Sequence, residues 1–358
     1  MTASGDQDDG AIGRALLGWY GRHARVLPWR ALPGTPPPEP YRVWLSEVML
    51  QQTTVAAVGP YFAKFLTRWP TVNDLAAAPD EEVMAAWAGL GYYARARNLL
   101  ACARVVAARG GVFPDTEPAL RELPGLGAYT AAAVAAIAFR RRAVVVDANV
   151  ERVVARLFAI RTPLPGGRAE IRNAAERITP DECAGDFAQA MMDLGATICT
   201  TRSPRCLLCP LNAGCAANRL GTPTDFPVKA ARPARPVRQG RAFWIARRNP
   251  EGTHVWLVQR PGKGMLGGMR ALPDDGWSAR GDGAAAPPLE LPWRTAGQVI
   301  HGFTHFTLEL AVLAGEANPT GDPPGDGVWW PVEKLDAAGL PTLFAKAAHR
   351  AITSPYPT

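Results

Sequence analysis

The fold of the first half of the chain is decided by a short stretch, Leu123-Pro124-Gly125-Leu126-Gly127-Ala128-Tyr129-Thr130, and by the Ala-rich run that follows it. Two glycines separated by one residue permit a tight turn, and the apolar residues behind them favour a helix. The backbone N–H groups of such a turn, with the next helix N-terminus, can hold a phosphate without reading base sequence. Taken alone, Gly-x-Gly more often marks an ordinary helix–helix turn.

On both sides of this turn, from Ala11 to about Leu220, the sequence is rich in Ala, Leu, Val and Arg. Apolar residues recur there at helical spacing, and the alternation typical of strands is scarce. Proline and glycine interrupt the pattern often, so we expect this half to be nearly all helical, with many short helices. The spacing predicts helices over 48–66, 81–90, 95–108, 131–139 and 149–160.

The composition changes between Thr222 and Gly240, where prolines and basic residues accumulate. Such a segment cannot form a core and is typical of a semi-rigid linker. Beyond it, Ala242–Gln259 and Phe303–Ala314 contain alternating, strand-favouring runs. We therefore predict an all-α domain over 11–221, a linker over 222–240, and an α+β domain with a small mixed sheet over 241–358.

Charge and hydropathy restrict the partners of the protein. The 358 residues carry a formal charge of +7, which favours polyanionic partners, although a merely basic enzyme would show the same value. The sequence contains no run near the ~20 apolar residues that cross a bilayer, and Met1–Gly10 is acidic and polar rather than an export signal. We expect a monomeric protein of the cytoplasm, with no membrane partner.

Four of the six cysteines, Cys199, Cys206, Cys209 and Cys215, lie within seventeen positions, whereas Cys102 and Cys183 stand apart. This distribution differs from a disulfide framework and predicts a metal site. Four thiolates suit zinc, and they equally suit a 4Fe-4S cluster, which is larger and tolerates the wide first gap. On chemistry alone, the cluster is modestly favoured over zinc.

Two acidic residues lie where an acid is unusual. Glu47 occurs in the apolar segment Trp44–Thr53, where burial would be costly unless the carboxyl is protonated or paired. A first-turn Glu interacting with the helix dipole is the alternative. Asp147 stands between the apolar run Ala143–Val146 and a helical pattern, a position at which Asp is usually a helix cap.

Together, the cysteine spacing, the Gly-x-Gly turn, the Trp44–Thr53 segment and the run Val146–Val153 resemble the endonuclease III and MutY branch of the helix-hairpin-helix DNA glycosylases. The resemblance implies a 4Fe-4S cluster on the four cysteines, with a structural or electron-transferring role. It also implies that Glu47 and Asp147 are catalytic. Ala148 departs from the glycine common at that place in the family, which puts the local backbone geometry in doubt.

Glu47 ties the chain to the adenine-specific MutY members, because the pyrimidine-specific relatives lack a Glu at that place. Hydrolysis of an adenine N-glycosidic bond needs a proton on the base and an anion beside the sugar. The resemblance implies that Glu47 supplies the proton and Asp147 the anion. Tyr129 replaces the Lys with which bifunctional relatives form a Schiff base, so we expect base removal without strand cleavage.

The same resemblance assigns further site residues. It implies an adenine pocket formed by Trp29, Arg30, Leu50, Val55 and Gln189. The DNA-binding residues are expected to be Gln52, Thr53, Leu90, Tyr92, Gly125 and Gly127. Core packing is the alternative for Leu90 and Tyr92. A Pro-rich insertion, Leu32–Pro40, departs from the short join usual after Arg30.

The second half resembles the Nudix-like C-terminal domain of MutY proteins through Gln259–Pro261, Gly264–Pro273 and His301–His305. It lacks the Glu residues at helical spacing with which a Nudix hydrolase holds magnesium. We therefore expect a lesion reader in which Phe303, Thr304 and His305 contact 8-oxoguanine, a plain β-turn being the alternative. Thr304 stands where Ser is more common and retains the hydroxyl.

These features predict a monofunctional glycosylase that removes adenine opposite 8-oxoguanine or guanine from duplex DNA. Three alternatives stay open from the residues. They are an endonuclease III-like lyase acting on oxidised pyrimidines, a non-catalytic iron–sulfur protein that binds damage or senses redox state, and a nucleotide-pool hydrolase.

Overall fold

A computed structural model describes residues 9–230, 234–262, 265–318 and 322–354. The chain divides into two compact units, Met1–Ala231 and Arg232–Thr358, here called the helical unit and the sheet unit. Most of the N-terminal segment Met1–Gly10, the linker residues Arg232 and Pro233, and Gly264 lie outside the described residues.

The helical unit is built of short helices joined by tight turns, as the periodicity predicts. In chain order these are α1 (Asp9–His23), α2 (Pro40–Leu50), α3 (Val55–Arg68), α4 (Val72–Ala77), α5 (Asp80–Trp87), α6 (Ala94–Ala108), α7 (Glu117–Arg121), α8 (Ala128–Phe139), α9 (Ala148–Leu157), α10 (Arg168–Ile178), α11 (Ala184–Thr197) and α12 (Ala216–Arg219). None of the helices in the described ranges is both long and apolar enough to span a bilayer.

The Ala-rich helix α8 lies at the centre of this unit. Its residues from Thr130 to Ala138 are all buried, which is expected of a helix that is apolar on every side. Small side chains let other helices approach closely, and α2, α7 and α11 all pack against α8. The N-terminus of α8 is thereby held against α2, which carries Glu47.

The predicted helix over 48–66 is wrong, because the chain forms two helices there, α2 and α3. Gln52 has a left-handed backbone (φ 59°), which ends the helical path, and the Thr54 side chain caps α3 by accepting from the Ala57 N–H at 3.3 Å. The apolar periodicity continues across the break because both helices face the same core. The left-handed Gln52 and the Thr54 cap together place the loop at 51–54.

The sheet unit contains β1 (Val237–Asn249), β2 (Gly252–Gln259), β3 (Arg270–Ala271), β4 (Arg294–Gly302), β5 (Thr307–Glu316) and β6 (Gly327–Pro331), followed by α13 (Thr342–Thr353). The strand order is β3-β2-β1-β5-β4, with β6 also paired to β2. β1 runs parallel to β5, from Val237↔Thr307 to Ala246↔Glu316, and the remaining pairs are antiparallel. This is the small mixed sheet that the sequence predicts, and α13 packs against β4 and β5.

The predicted linker over 222–240 is wrong at both ends within the described residues. Phe226 is buried in the helical unit, and its carbonyl accepts from the Arg156 side chain at 3.1 Å. The Val228 carbonyl accepts from the Leu164 N–H at 2.8 Å, and β1 already begins at Val237. Proline-rich segments lack regular hydrogen bonding, yet one large apolar side chain suffices to attach such a segment to a core.

The two hairpin glycines differ in backbone conformation. Gly125 has a φ of 77°, and a Cβ placed there would lie 2.6 Å from the Cβ of Asn98 on α6. Gly127, at the N-cap of α8, has an extended backbone (φ −75°, ψ 175°), and a Cβ there would meet nothing within 4 Å. The turn therefore requires glycine at position 125 only, and the open side of Gly127 leaves room for an approaching group.

Gly125→Ala is expected to lower the free energy of unfolding by about 1–3 kcal/mol, because the new methyl group meets Asn98 and the backbone is left-handed. Gly127→Ala is the matched control and should stay within about 0.5 kcal/mol of wild type. Urea denaturation monitored by circular dichroism measures both values. Equal losses in the two variants would contradict this account of the turn.

Candidate active site

Glu47 lies in the interior of α2 and is 5% exposed. The first-turn alternative for this residue is wrong, because α2 already begins at Pro40. Ser46 does not cap the helix, since its hydroxyl donates to the Val43 carbonyl at 2.8 Å. A carboxyl group buried in a helix interior needs a partner from another element.

That partner is Tyr129, in the first turn of α8. Its hydroxyl donates to Oε2 of Glu47 at 2.5 Å. A second bond runs from Nε2 of Gln51, the C-cap of α2, to the Thr130 hydroxyl of α8 at 3.0 Å. The hairpin motif therefore has a role inside the protein, because it delivers a phenol to the buried carboxyl group.

The surroundings of Glu47 raise its pKa above the usual value. Burial is the largest cause, and the negative charge of Asp147 acts in the same direction. The Tyr129 hydrogen bond and the positive charge of Arg30 oppose this rise. Burial and the neighbouring carboxylates also raise the pKa of Tyr129 well above 10, so the phenol keeps its proton. The site thus favours a protonated acid at position 47.

Asp147 is the N-cap of α9, so the cap interpretation is correct. Its Oδ1 accepts from the Val150 N–H at 2.7 Å, and its Oδ2 accepts from Asn149 Nδ2 at 2.9 Å. Both oxygens of the Asp147 side chain are therefore paired at the N-terminus of α9. Ala148 opens the helix with an ordinary right-handed backbone, so its departure from glycine introduces no strain. A cap position does not exclude catalysis, because Asp147 is near enough to influence both Glu47 and Tyr129.

Arg30 is held by a buried carboxylate that the sequence analysis did not single out. Asp193 on α11 is fully buried, and its Oδ1 accepts from Arg30 Nη1 and from Arg25 Nε, each at 2.7 Å. A further bond reaches its Oδ2 from the Arg25 backbone N–H at 3.0 Å. An acid within the apolar run Met191-Met192-Asp193-Leu194 was the only sequence signal for this pairing.

The predicted pocket residues include three apolar side chains and one buried amide. Trp29 is buried edge-on against Phe62, whereas Leu50 and Val55 are half-buried. Gln189 on α11 is 5% exposed, and its Oε1 has no hydrogen-bond partner among the described residues. A buried amide oxygen without a partner is costly unless a ligand supplies a donor.

The predicted DNA-contact residues differ in how exposed their side chains are. Gln52 is exposed, Tyr92 is 56% exposed, and both have left-handed backbones, with φ values of 59° and 49°. Thr53 is half-buried in the loop between α2 and α3. Leu90 is 6% exposed and packs in the core, so the core-packing alternative holds for this side chain.

The four clustered cysteines line one cavity together with Arg156. Arg156 extends from α9 and donates to the Cys199 Sγ at 3.3 Å and to the Thr200 carbonyl at 2.7 Å. Burial raises the pKa of Cys209 to about 12, so a thiolate there needs a positive partner. No three His, Cys, Asp or Glu side chains among the described residues are placed to hold a single metal ion. Four thiols around a common cavity fit a thiolate-ligated cluster.

The predicted lesion loop is the turn between β4 and β5. Phe303 points into the sheet unit, where its ring stacks on Phe306 at 4.7 Å and lies 5.7 Å from Trp277. Thr304 and His305 are exposed at the tip. The turn is closed by a bond from the Phe303 N–H to the Phe306 carbonyl at 2.8 Å, so Phe303 anchors the loop and leaves two side chains outside.

Comparison with known proteins identifies the relatives of both units. Residues 45–180 match the HhH-GPD superfamily base excision DNA repair protein family, and residues 241–350 match the NUDIX domain. The adenine DNA glycosylase of Homo sapiens is 34% identical over 397 residues, covering 93% of this chain and 72% of the human protein. The adenine DNA glycosylase of Mycobacterium tuberculosis is 42% identical over 231 residues, covering 64% of this chain and 72% of its own length.

Among solved structures, a non-covalent endonuclease III–DNA complex superposes with a TM-score of 0.50 at 25% sequence identity. The match covers 59% of this chain and 95% of that chain. The resemblance indicated by the sequence motifs is therefore confirmed.

Glu47→Gln is expected to stabilise the protein, and more so at higher pH. Above the ordinary pKa of 4.5 the unfolded chain releases a proton that the folded state keeps on Glu47, so stability falls as pH rises through that window. The variant removes this loss and should melt above wild type at about pH 7, with a smaller gap at about pH 4. Scanning calorimetry at both pH values measures the gap. The exposed Glu122→Gln is the control, and a gap that widens toward low pH would contradict the burial of a raised-pKa acid.

Proposed function

The chain belongs to the adenine DNA glycosylase family of base excision repair, and we propose that it removes adenine opposite 8-oxoguanine or guanine in duplex DNA without cutting the strand. The observation that carries this proposal is the set formed by Glu47, Tyr129 and Asp147. Glu47 lies on α2, Tyr129 lies on α8 and donates to Glu47, and Asp147 caps α9 and helps to raise the pKa of both. We propose that it acts as a monomer on chromosomal DNA, which in a bacterium lies in the cytoplasm as the nucleoid.

The first chemical step is protonation of the base. Adenine leaves poorly as an anion, so an acid must give a proton to its position-7 nitrogen as the N-glycosidic bond breaks. Glu47 suits this role because burial raises its pKa. The proton moves from the Glu47 carboxyl to the base, and the bonding electrons depart with the neutral adenine. The Tyr129 hydroxyl stabilises the carboxylate that remains.

The second requirement is stabilisation of the positive sugar. Asp147, supported by the α9 N-terminus and Asn149, provides a negative group that can stabilise the oxocarbenium ion or briefly bond to it. The Glu47 carboxylate then takes a proton from the attacking water, which restores the acid. In this proposal one carboxyl group acts as the acid and the other as the anion beside the sugar.

The adenine pocket uses residues from three segments. Gln189 offers a buried oxygen that has no partner in the described part of the chain and can accept from the adenine amino group. The ion pair with Asp193 fixes the position of the Arg30 guanidinium, which contributes a positive charge. Trp29, Leu50 and Val55 supply apolar surface for the ring.

Tyr129 supports base removal without strand cleavage. Strand cleavage by bifunctional relatives needs an amine that attacks the sugar, and a phenol cannot form that Schiff base. Here the phenol is also engaged with Glu47. The lyase alternative is thereby disfavoured.

Duplex DNA is bound through phosphates and opened by inserted side chains. The open N-terminus of α8 beside Gly127, with the turn at Gly125, suits a phosphate. Gln52 and Tyr92 are exposed in loops and can fill the gap left by an extruded adenine, with Thr53 beside them. In the sheet unit, Thr304 and His305 are free to contact 8-oxoguanine while Phe303 anchors their loop.

The cysteine cavity is proposed to hold a 4Fe-4S cluster through Cys199, Cys206, Cys209 and Cys215. A cluster bound there would cross-link the segment from Cys199 to Cys215, which follows α11. Arg156 and Arg152 tie the same loop to α9 through the Cys199 carbonyl.

Single-turnover excision tests the reaction. Wild type should release adenine from duplexes with 8-oxoguanine or guanine opposite, and strands should break only after alkali treatment. Glu47→Gln and Asp147→Asn should each lower the rate at least about 100-fold with DNA affinity retained. Asn still caps α9, so the second variant should fold. Cleavage without alkali, or near-native rates in either variant, would overturn the proposal.

Metal analysis tests the cofactor. Purified protein should absorb visible light and contain about four irons and four sulfides per chain. Cys209→Ala should lose both iron and absorbance, whereas the separate Cys183→Ala should keep them. Zinc in wild type with no iron would refute the cluster.

A further inference from the structure

Arg95, in the first turn of α6, holds together the two loops that carry Gln52 and Tyr92. It is 9% exposed, and its guanidinium lies between the loop from Gln51 to Thr54 and the loop from Ala88 to Tyr93. Its acceptors are the carbonyl groups of Val48 and Met49 at 3.1 Å each, the Gln51 carbonyl, the Thr53 hydroxyl at 3.3 Å, and the carbonyl groups of Leu90 at 3.1 Å and Gly91 at 3.3 Å.

The acceptors adjoin the two unusual backbone positions. Gln51 directly precedes Gln52, and Gly91 directly precedes Tyr92, and both following residues are left-handed. A non-glycine residue in that conformation costs about 1–3 kcal/mol and persists only where its surroundings enforce it. Arg95 binds the carbonyl group immediately before each of them, so it can enforce both conformations at once.

The same guanidinium also contacts aromatic rings. Its central carbon lies 5.5 Å from the Tyr92 ring centroid and 5.3 Å from that of Trp87. A planar cation between two rings restricts the orientation of the exposed one. Tyr92 is therefore held in both backbone and ring direction, although more than half of it is exposed.

Part of this contact set is helix capping, because Val48 and Met49 belong to the last turn of α2. Capping α2 does not require bonds to Leu90, Gly91 or Thr53. Those bonds join two loops that lie about forty positions apart in the chain. The cross-loop bonds therefore need a reason other than the stability of α2.

We propose that Arg95 is a positioning residue that makes the two loops one rigid body, so that Gln52 and Tyr92 enter the duplex together when adenine is extruded. This inference rests on the proposed function, in which these two side chains open the DNA. Arg95 contacts neither adenine nor the reacting atoms. Its effect is confined to the opening step, and the chemical step on an adenine that is already unpaired does not depend on it.

The test compares a paired substrate with a pre-opened one in single-turnover excision. On adenine opposite 8-oxoguanine, the excision rate of Arg95→Met should be about 100-fold below that of wild type, in line with the cost of misplaced positioning groups. Where adenine faces an abasic site, the excision rate of Arg95→Met should be less than about threefold below that of wild type on the same substrate. With 2-aminopurine at the target position, the fluorescence increase of wild type should be absent in the variant.

The controls separate this inference from a folding defect. Arg104→Met removes an arginine of the same helix that binds the Ala78 carbonyl at 3.3 Å, away from both loops, and should match wild type on both substrates. Arg95→Lys, which keeps the charge and up to three donors, should fall between wild type and Arg95→Met. If Arg95→Met does not fold, Arg95→Lys is compared with wild type on both substrates instead.

The outcomes distinguish the two proposals. A wild type that does not release adenine overturns the proposed function. If wild type is active, an Arg95 variant that loses equally on both substrates, or loses on neither, overturns only the positioning role.

Discussion

The structure depends on the burial of one carboxyl group, that of Glu47, in the interior of a helix. A charged carboxylate there would be costly, so the protein either keeps it protonated or surrounds it with donors. The structure uses both means, since burial raises the pKa while Tyr129 donates a hydrogen bond. A carboxyl group that keeps its proton to higher pH than usual is also what base release requires.

Three helices from distant parts of the chain are needed to place that carboxyl group. α2 carries Glu47, the hairpin sets the start of α8 and thereby Tyr129, and Asp147 caps α9. The apolar, Ala-rich α8 lets α2 and α11 approach, because its side chains are small. The packed core therefore fixes the positions of the site residues, whereas their polar groups perform the chemistry.

Several contacts that serve this site are costly in isolation. Asp193 is fully buried, and Gln52 and Tyr92 have left-handed backbones. Within the ranges that the structure describes, the Gln189 amide oxygen lacks a partner. Strain and unsatisfied groups of this kind are expected at functional sites and are compensated by packing elsewhere. In the sheet unit, packing likewise supports exposed polar groups, since Phe303 packs inward while Thr304 and His305 stay exposed.

The amino-acid sequence alone determined the fold class, the hairpin and the four clustered cysteines, because these features are local patterns of spacing and residue type. The proposed roles of Glu47, Asp147 and Tyr129 come from the resemblance of their segments to the glycosylase family. Only the tertiary structure decided that 48–66 is two helices, that Phe226 belongs to the helical core, and that Leu90 is buried. It alone paired Arg30 with Asp193, 163 positions away, and brought Arg95 to both loops. Such pairs leave no periodic signal in the chain, because a hydrogen bond between distant residues is created by packing and not by local propensity.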